Sequence, residues 1–132
     1  MHPTIEKLIA NGAVVTDGAW GTQLQARGLA IGKFPDAWNL THPQFVSEVA
    51  RAYVNSGSRV ILTNTFGANR VRLAENSLAD RVVEINQRGV EISKMAATGE
   101  AMVFASIGPT GKLLMNGDIT PVEMQSAFEE QA

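Results

Sequence analysis

Three short stretches of the sequence place polar side chains and glycines directly after an apolar run. They read TDGAWGT (16–22), LTNTFGA (62–68) and SIGPTG (106–111). Hydroxyl, amide and carboxylate groups can hold a ligand through hydrogen bonds, and glycine lets a backbone approach it closely. Ligands of parallel βα proteins lie at the carboxyl ends of the strands, where the loops are free to vary. We therefore expect the three stretches to line one pocket.

Asp17 is the only ionisable residue within these stretches. Its carboxylate could bind a ligand ammonium or hold the backbone of the pocket, and an Asx-turn or a cap of the next turn is an equally supported alternative. Gly18 and Gly21 are expected to let the backbone turn sharply beside it. Trp20 is expected mainly to pack, with its indole N–H finding a partner.

The second stretch has three hydrogen-bonding side chains in succession, Thr63, Asn64 and Thr65. These side chains could form local hydrogen bonds at the end of a strand. A turn requires fewer than three such side chains, so we expect at least one of them to bind a ligand. The third stretch, GPTG (108–111), could present backbone N–H groups to an anion. It lacks the residue order of a phosphate loop and no helix follows at once, so a plain turn is predicted.

Metal-ligating residues are scarce in this chain. It has no cysteine and two histidines, His2 and His42, whose positions do not match metal or catalytic-triad spacing. Both histidines are expected to cap helices or to face solvent. A cysteine-free chain forms no disulfide and fits a cytoplasmic protein.

The elements that would position these stretches alternate between strand and helix. Apolar strands begin near residues 13, 59 and 101, and each is followed by helical sequence. The first strand is uniformly apolar, as expected of one covered on both faces. The pattern predicts an α/β fold of parallel βα units.

Helices are predicted over 4–11, 40–57 and much of 67–99, with another that begins at Thr120. The long one is amphipathic, because Val82, Ile85, Gly89, Ile92 and Ala96 recur at steps of three and four. The last begins with a capping box of Thr120 and Glu123 around Pro121.

The composition excludes several classes of function. The chain has 132 residues, 45% apolar and 18% charged, which is typical of one domain without an internal boundary. Its net charge is −2 and its 11 basic residues are scattered, so we expect no nucleic-acid partner. No apolar run approaches the ~18 residues of a membrane span, and no secretory signal begins the chain.

Four ordered blocks resemble the homocysteine S-methyltransferase family, and together they span most of the chain. They are TDGAWGTQLQARG (16–28), PDAWNLTHP (35–43), GSRVILTNTFGANR (57–70) and SIGPTG (106–111). The likeness is greatest to the homocysteine-binding module of cobalamin-dependent methionine synthase. Betaine–homocysteine methyltransferase shares this barrel.

The resemblance implies a (β/α)8 TIM-type barrel and a homocysteine pocket at the carboxyl ends of its strands. By motif, Asp17, Gly18 and Ala19 would contact the amino-acid end of homocysteine. Thr63, Asn64, Thr65, Phe66 and Gly67 would border the same pocket, and Gly108, Pro109, Thr110 and Gly111 would complete it. Trp38 and Asn39 would close over the mouth.

The resemblance also implies chemistry that this chain lacks. Family members hold a zinc ion through three cysteine thiolates from later strands, and the zinc binds the homocysteine sulfur as a thiolate. This chain has no cysteine, and a full barrel needs ~250 residues. It therefore resembles an amino-terminal part of the barrel, the first three strands, without catalytic or metal-binding residues.

Three interpretations remain open. The chain is part of a homocysteine methyltransferase, whose methyl donor (betaine, S-methylmethionine or a methylcorrinoid) these residues do not specify. Alternatively, it is a non-catalytic partial barrel that pairs with itself or with the remainder of the barrel. A third possibility is a metal-free βα enzyme that uses Asp17 and Thr63–Thr65 for a hydroxylated ligand.

Overall fold

The structure, a computed structural model, describes residues 1–132. In chain order the elements are α1 Pro3–Ile9, α2 Gly21–Gln25, α3 Trp38–Thr41, α4 Pro43–Asn55, β1 Val60–Leu62, α5 Arg70–Ala74, α6 Val82–Ala97, β2 Met102–Phe104 and α7 Pro121–Gln131. Short 3₁₀ turns lie at Pro35–Ala37, Ala79–Arg81 and Leu114–Asn116.

The strands are parallel, as the sequence predicts. β1 pairs with β2 in the register Val60 to Met102 and Leu62 to Phe104. On the other side of β1, Thr16 forms a parallel bridge with Val60, and the Asp17 N–H donates to the Val60 carbonyl at 3.0 Å. β1 therefore lies in the middle, with the segment around Thr16 and β2 as its two neighbours.

The predicted first strand, residues 13–17, is less regular and less buried than expected. It forms a single bridge to β1, and the Val15 side chain is 62% exposed. The expectation that this strand is covered on both faces is wrong for this chain. None of residues 13–17 belongs to the buried clusters that the helices form, so the uniformly apolar sequence of this strand is not a buried one.

Helices α4 and α6 cover one face of the strands. Ile61 of β1 is fully buried in a cluster with Ala50 and Val54 of α4 and with Ala96 and Ala97 of α6. A second cluster joins α2 to the same pair of helices through Leu24, Val46, Val49 and Ile92. These contacts fix the position of β1, and with it the polar stretch that follows.

The predicted long helix is interrupted before α6. Its periodic residues form α6 as expected, but residues 70–81 form the short α5 and a 3₁₀ turn instead. Ser77, three residues after the end of α5, has a left-handed backbone (φ 58°), so the helix does not continue from α5 into α6. Asn69 begins α5, because its side chain accepts a hydrogen bond from Arg72 N at 3.0 Å.

The predicted helix ends are largely confirmed. Thr120 and Glu123 form the reciprocal capping box of α7, and Gly57 follows α4 with φ 95°. The His2 ring accepts a hydrogen bond from Thr4 N at the start of α1. His42 precedes α4 without a capping bond and stacks on Trp38 instead. No helix has the length and apolar character that crossing a membrane requires.

Candidate functional site

The three polar stretches lie side by side at the carboxyl ends of the strands. The Asp17 carboxylate of the first accepts a hydrogen bond from Leu62 N at 2.7 Å, at the end of β1. The Thr63 hydroxyl of the second accepts one from Ser106 N of the third at 3.0 Å. The stretches thus form one continuous edge, as expected of parallel strands in sequential order.

Asp17 binds other parts of the protein through one oxygen. Its Oδ2 accepts from Leu62 N and from the Trp20 indole Nε1, both at 2.7 Å. Asp17 therefore holds the backbone of the neighbouring strand end, and the Trp20 N–H has the partner expected of a packed indole. With Gly18, Asp17 lines a shallow hollow beside Val60 and Phe104, apart from the main cavity.

Gly18 packs closely against the Tyr53 side chain. The chain bends at Trp20 and enters α2 at Gly21, but neither Gly18 nor Gly21 has a left-handed backbone, so this change of direction does not depend on a positive φ at either glycine. A β-carbon at position 18 would lie 3.2 Å from the Tyr53 hydroxyl. That hydroxyl donates to the Ala19 carbonyl at 2.6 Å. Burial and the nearby Asp17 carboxylate raise the pKa of Tyr53.

The hydroxyls of Thr63 and Thr65 are committed to the protein. They hydrogen bond to each other, Thr65 Oγ1 donates to the Ser106 carbonyl at 2.9 Å, and Thr63 Oγ1 accepts from Ser106 N. This ring of bonds uses both hydroxyl protons. The local hydrogen-bonding alternative therefore describes these two side chains.

A cavity of about 500 Å³ opens beside the second stretch. Four of the residues expected in the pocket line it, namely Thr63, Asn64, Phe66 and Gly67. The others lie outside its lining, namely Asp17, Gly18, Ala19, Thr65, Gly108, Pro109, Thr110 and Gly111. Phe66 is 62% exposed, whereas Thr63, Asn64 and Gly67 are buried.

Another part of the cavity wall comes from residues that the sequence did not assign to the pocket. They include Trp20, Lys33, Phe34, Asp36 and Arg72, most of them from the segment before α3. Lys33, Phe34 and Asp36 precede a helix without an apolar strand before them. Their sequence is therefore that of an ordinary loop and helix start, and their role becomes visible only in three dimensions.

A buried amide pair attaches that wall to the second stretch. Asn39 is fully buried and donates to the Asn64 carbonyl at 2.8 Å and to the Ile85 carbonyl at 3.1 Å. Asn64 donates in turn to Asn39 Oδ1 and to the Pro35 carbonyl. Asn39 thus lies beneath the cavity as a structural tie, and not over its mouth as expected.

Asp36 is a buried carboxylate in this wall. It is 3% exposed, and its Oδ1 accepts a hydrogen bond from Gly67 N at 2.9 Å. Burial raises the pKa of Asp36 to about 6, although the Gly67 hydrogen bond and the charge of Arg72 oppose that rise. The cavity therefore contains an acid that changes charge near neutral pH.

The third stretch is an irregular loop with a bend at Gly111, and no backbone hydrogen bond closes the predicted turn within it. Gly108 N donates to the Phe66 carbonyl at 2.8 Å, and Thr110 is buried with its hydroxyl accepting from Lys112 N. Gly111 has φ 79°, and a β-carbon there would lie 3.1 Å from the Arg72 guanidinium. The third stretch therefore packs against both Phe66 of the second stretch and Arg72 of the cavity wall.

The residues of this chain do not fit a zinc site. The sequence has no cysteine, and no group of three or more histidine or acidic side chains is arranged to hold a metal ion. No step of the chemistry can therefore be assigned to a metal bound by this chain alone.

Comparison with known proteins gives a consistent family. The model of the family "Homocysteine S-methyltransferase" matches residues 14–132. The methionine synthase of Mycobacterium tuberculosis is 31% identical over 137 residues, which cover 95% of this chain and 12% of that protein. Betaine–homocysteine S-methyltransferase 1 of Mus musculus is 27% identical, over 96% of this chain and 32% of that protein.

A solved structure shows the same fold. The homocysteine methyltransferase MmuM from Escherichia coli, in its metallated form, superposes with a TM-score of 0.76 at 20% identity. The match covers 96% of this chain and 52% of that one. The chain thus spans about half of this structural neighbour and a smaller share of the two sequence relatives.

Proposed function

The chain belongs to the homocysteine S-methyltransferase family, and we propose that it supplies part of the homocysteine pocket of an enzyme that methylates the homocysteine thiol to give methionine. In that reaction the thiol loses its proton, the sulfur bonds to the donor methyl carbon, and the bond from that carbon to the donor breaks. The observation that carries the proposal is the continuous polar edge of three parallel strand ends beside a cavity, in a chain of this family.

The proposed architecture is the first three strands of a (β/α)8 barrel. The parallel order with β1 in the middle, and the covering of one face by α4 and α6, are those of consecutive βα units. The likeness to half of a homocysteine methyltransferase chain supports the same arrangement.

The proposed contacts divide into two groups. Asp17, Gly18 and Ala19 would approach the amino-acid end of homocysteine from the hollow that Leu62 shares with the main cavity. Thr63, Asn64, Phe66 and Gly67 would border the ligand directly, since they line that cavity. Thr65 and Gly108–Gly111 would support them, because their polar groups bind neighbouring backbone.

The work of this chain is to bind and orient the acceptor. A zinc ion, where the family's cysteine ligands are present, would stabilise the sulfur as a thiolate, but this chain provides none of those ligands. Its own groups are hydrogen-bonding backbone, three aromatic side chains (Trp20, Phe34 and Phe66) and the charges of Asp36, Lys33 and Arg72. The methyl donor is not determined by them.

Reconstitution tests the proposal. The 132-residue chain is mixed with a polypeptide that carries the later strands and cysteine ligands of a family relative, and methionine formation from homocysteine is measured with each candidate donor. We expect activity in the mixture and none in either part alone. A tightly associated complex that neither binds homocysteine nor forms methionine would contradict the proposal.

That last result would favour the alternative, a non-catalytic partial barrel that needs a partner chain. The observation behind this alternative is the apolar surface left exposed, which includes Val15, Ile107 and Leu113. Homocysteine binding distinguishes the two, because a module that only assembles has no reason to select this ligand.

A further inference from the structure

The peptide group between Phe66 and Gly67 is held from both sides. Its N–H donates to Asp36 Oδ1 at 2.9 Å, and its carbonyl accepts from Gly108 N at 2.8 Å. The two partners belong to different segments, one before α3 and one after β2. A single peptide plane therefore connects two loops across the wall of the cavity.

Close packing leaves this peptide little freedom. A β-carbon at position 67 would lie 2.8 Å from the Phe34 ring and 3.3 Å from Asp36 Oδ2. At position 108 it would lie 2.5 Å from the Phe66 carbonyl oxygen. At position 108 the close atom belongs to the backbone, so no β-carbon fits there, whereas at position 67 the Phe34 ring and the Asp36 carboxylate would have to shift. The Phe66–Gly67 peptide is thus packed against the Gly108 backbone on one side and two side chains on the other.

The hydrogen bond from Gly67 is strongest when Asp36 is ionised, although burial disfavours that charge. A hydrogen bond to a carboxylate is stronger than one to a neutral oxygen, and consecutive hydrogen bonds through one peptide polarise each other. The carboxylate of Asp36 thus strengthens both the Gly67 and the Gly108 bond. The charged groups that line the cavity with it are Lys33, from the preceding loop, and Arg72, from α5.

We infer that Asp36 is a positioning residue of the pocket: it fixes the Phe66–Gly67 peptide, and through it the exposed Phe66 ring and the loop at Gly108. The inference rests on the proposed function in so far as homocysteine is the ligand of this wall. Asp36 acts through the peptide and is not itself assigned a contact with the reacting atoms. Protonation of Asp36 weakens the hold on the peptide, so binding should depend on pH.

The first test follows backbone amides by NMR in the ¹⁵N-labelled chain between pH 4.5 and 8. We expect the Gly67 and Gly108 amide resonances to titrate with one shared midpoint, because the two bonds share a peptide. The Asp36→Asn variant should abolish this titration, and the Asp80→Asn variant, which alters an exposed carboxylate, should keep it. The wild-type titration is informative even if Asp36→Asn folds poorly. A Gly108 resonance that does not follow Gly67 would overturn the inference.

The second test measures the dissociation constant of L-homocysteine at pH 5 and pH 7.5. We expect about fivefold weaker binding at pH 5 in the wild type, since a charged acceptor is replaced by a neutral one. Asp36→Asn should bind equally at both pH values, and Asp80→Asn should behave as the wild type. Equal wild-type binding at both pH values would contradict the positioning role.

The two tests separate the inference from the proposed function. If the wild type does not bind homocysteine while both amides titrate together, the proposed function fails and the role of Asp36 in fixing the peptide stands. If homocysteine binds and the amides do not titrate, the role of Asp36 in fixing the peptide fails and the proposed function stands.

Discussion

At the scale of single residues, the two carboxylates near the cavity perform different tasks. Asp17 is half-buried, and one of its oxygens accepts two hydrogen bonds from the protein. Asp36 is almost fully buried and accepts one from Gly67. The sequence indicates a role for Asp17 at the strand end, because Asp17 ends an apolar strand. No such role was indicated for Asp36, since an acid at the start of a helix usually caps it in solvent.

Asp17→Asn tests the first carboxylate in the reconstituted enzyme. An asparagine oxygen can still accept from Leu62 N, so the fold should survive, but the negative charge that would attract a ligand ammonium is gone. We expect homocysteine to bind about tenfold more weakly, as loss of a charge-assisted hydrogen bond implies. Calorimetric titration measures this, with Asp80→Asn as control. Unchanged affinity would remove Asp17 from the pocket.

Asp36→Asn has a predicted effect on stability whose sign follows from the raised pKa of Asp36. Its pKa is about 6 in the folded chain against an ordinary 3.8, so the folded state binds the proton more tightly than the unfolded state. The contribution of Asp36 to the free energy of unfolding therefore falls as pH rises from about 4 to about 6. The asparagine variant avoids this loss. It should gain up to about 3 kcal/mol relative to the wild type between pH 4 and pH 7.5.

Urea denaturation of both proteins at the two pH values measures that gain. The exposed-site variant Asp80→Asn serves as the control and should follow the wild type. A constant difference between wild type and Asp36→Asn would show that Asp36 titrates near its ordinary value.

At the scale of elements, the sequence predicts the βα units well where burial and periodicity agree. The residues of β1, the periodic face of α6 and the capping box of α7 all lie as expected. The break between α5 and α6 was missed, because Ser77 adopts a left-handed backbone without a glycine to signal it. The first strand was overestimated, since its apolar residues need neighbours that this chain does not place there.

The amide pair of Asn39 and Asn64 illustrates what a sequence cannot show. The two residues are 25 positions apart, and the sequence predicted each of them near the pocket without indicating that they bond to each other. Only the packing of α3 against the strand end shows that both are buried and bonded to each other.

Gly89→Ala tests how closely α6 supports the second polar stretch. In an exposed helix this change would stabilise by about 1 kcal/mol, because alanine is the better helix former. Here a β-carbon would lie 2.6 Å from Thr65 Cγ2 and 2.8 Å from Asn39 Nδ2. We expect the steric cost of overpacking to exceed the gain in helix propensity, so the free energy of unfolding of the variant should fall by about 1–3 kcal/mol.

The urea midpoint of the variant gives the sign of that change directly. Gly21→Ala, at the start of α2, is the matched control, since nothing lies within 4 Å of its added carbon. A stabilised Gly89→Ala protein would mean that α6 and the Thr65 loop are less tightly packed than described.

At the scale of the whole molecule, the outer edges of the strands carry unpaired backbone groups. β2 pairs only with β1, and the segment around Thr16 likewise has β1 on one side alone. Isolated proteins seldom leave such edges open, because open edges pair with other chains. We therefore expect the chain to associate with itself at micromolar concentration.

Sedimentation velocity over a range of concentrations tests this expectation. The sedimentation coefficient should rise with concentration, and it should become independent of concentration when a polypeptide with the later strands of the family barrel is added in excess and forms a one-to-one complex. A concentration-independent monomer that unfolds cooperatively would contradict it.

The central claim is that the edge of three strand ends and its cavity receive homocysteine. The most direct measurement is a map of backbone amide shifts in the ¹⁵N-labelled chain during titration with L-homocysteine, with 4-mercaptobutanoate, which lacks the amino group, as control. We expect the largest shifts to fall on Thr63–Gly67 and around Asp17, and the control to produce much smaller ones. Shifts confined to other surfaces, such as the outer side of α5 and α7, or identical shifts with the control, would contradict it.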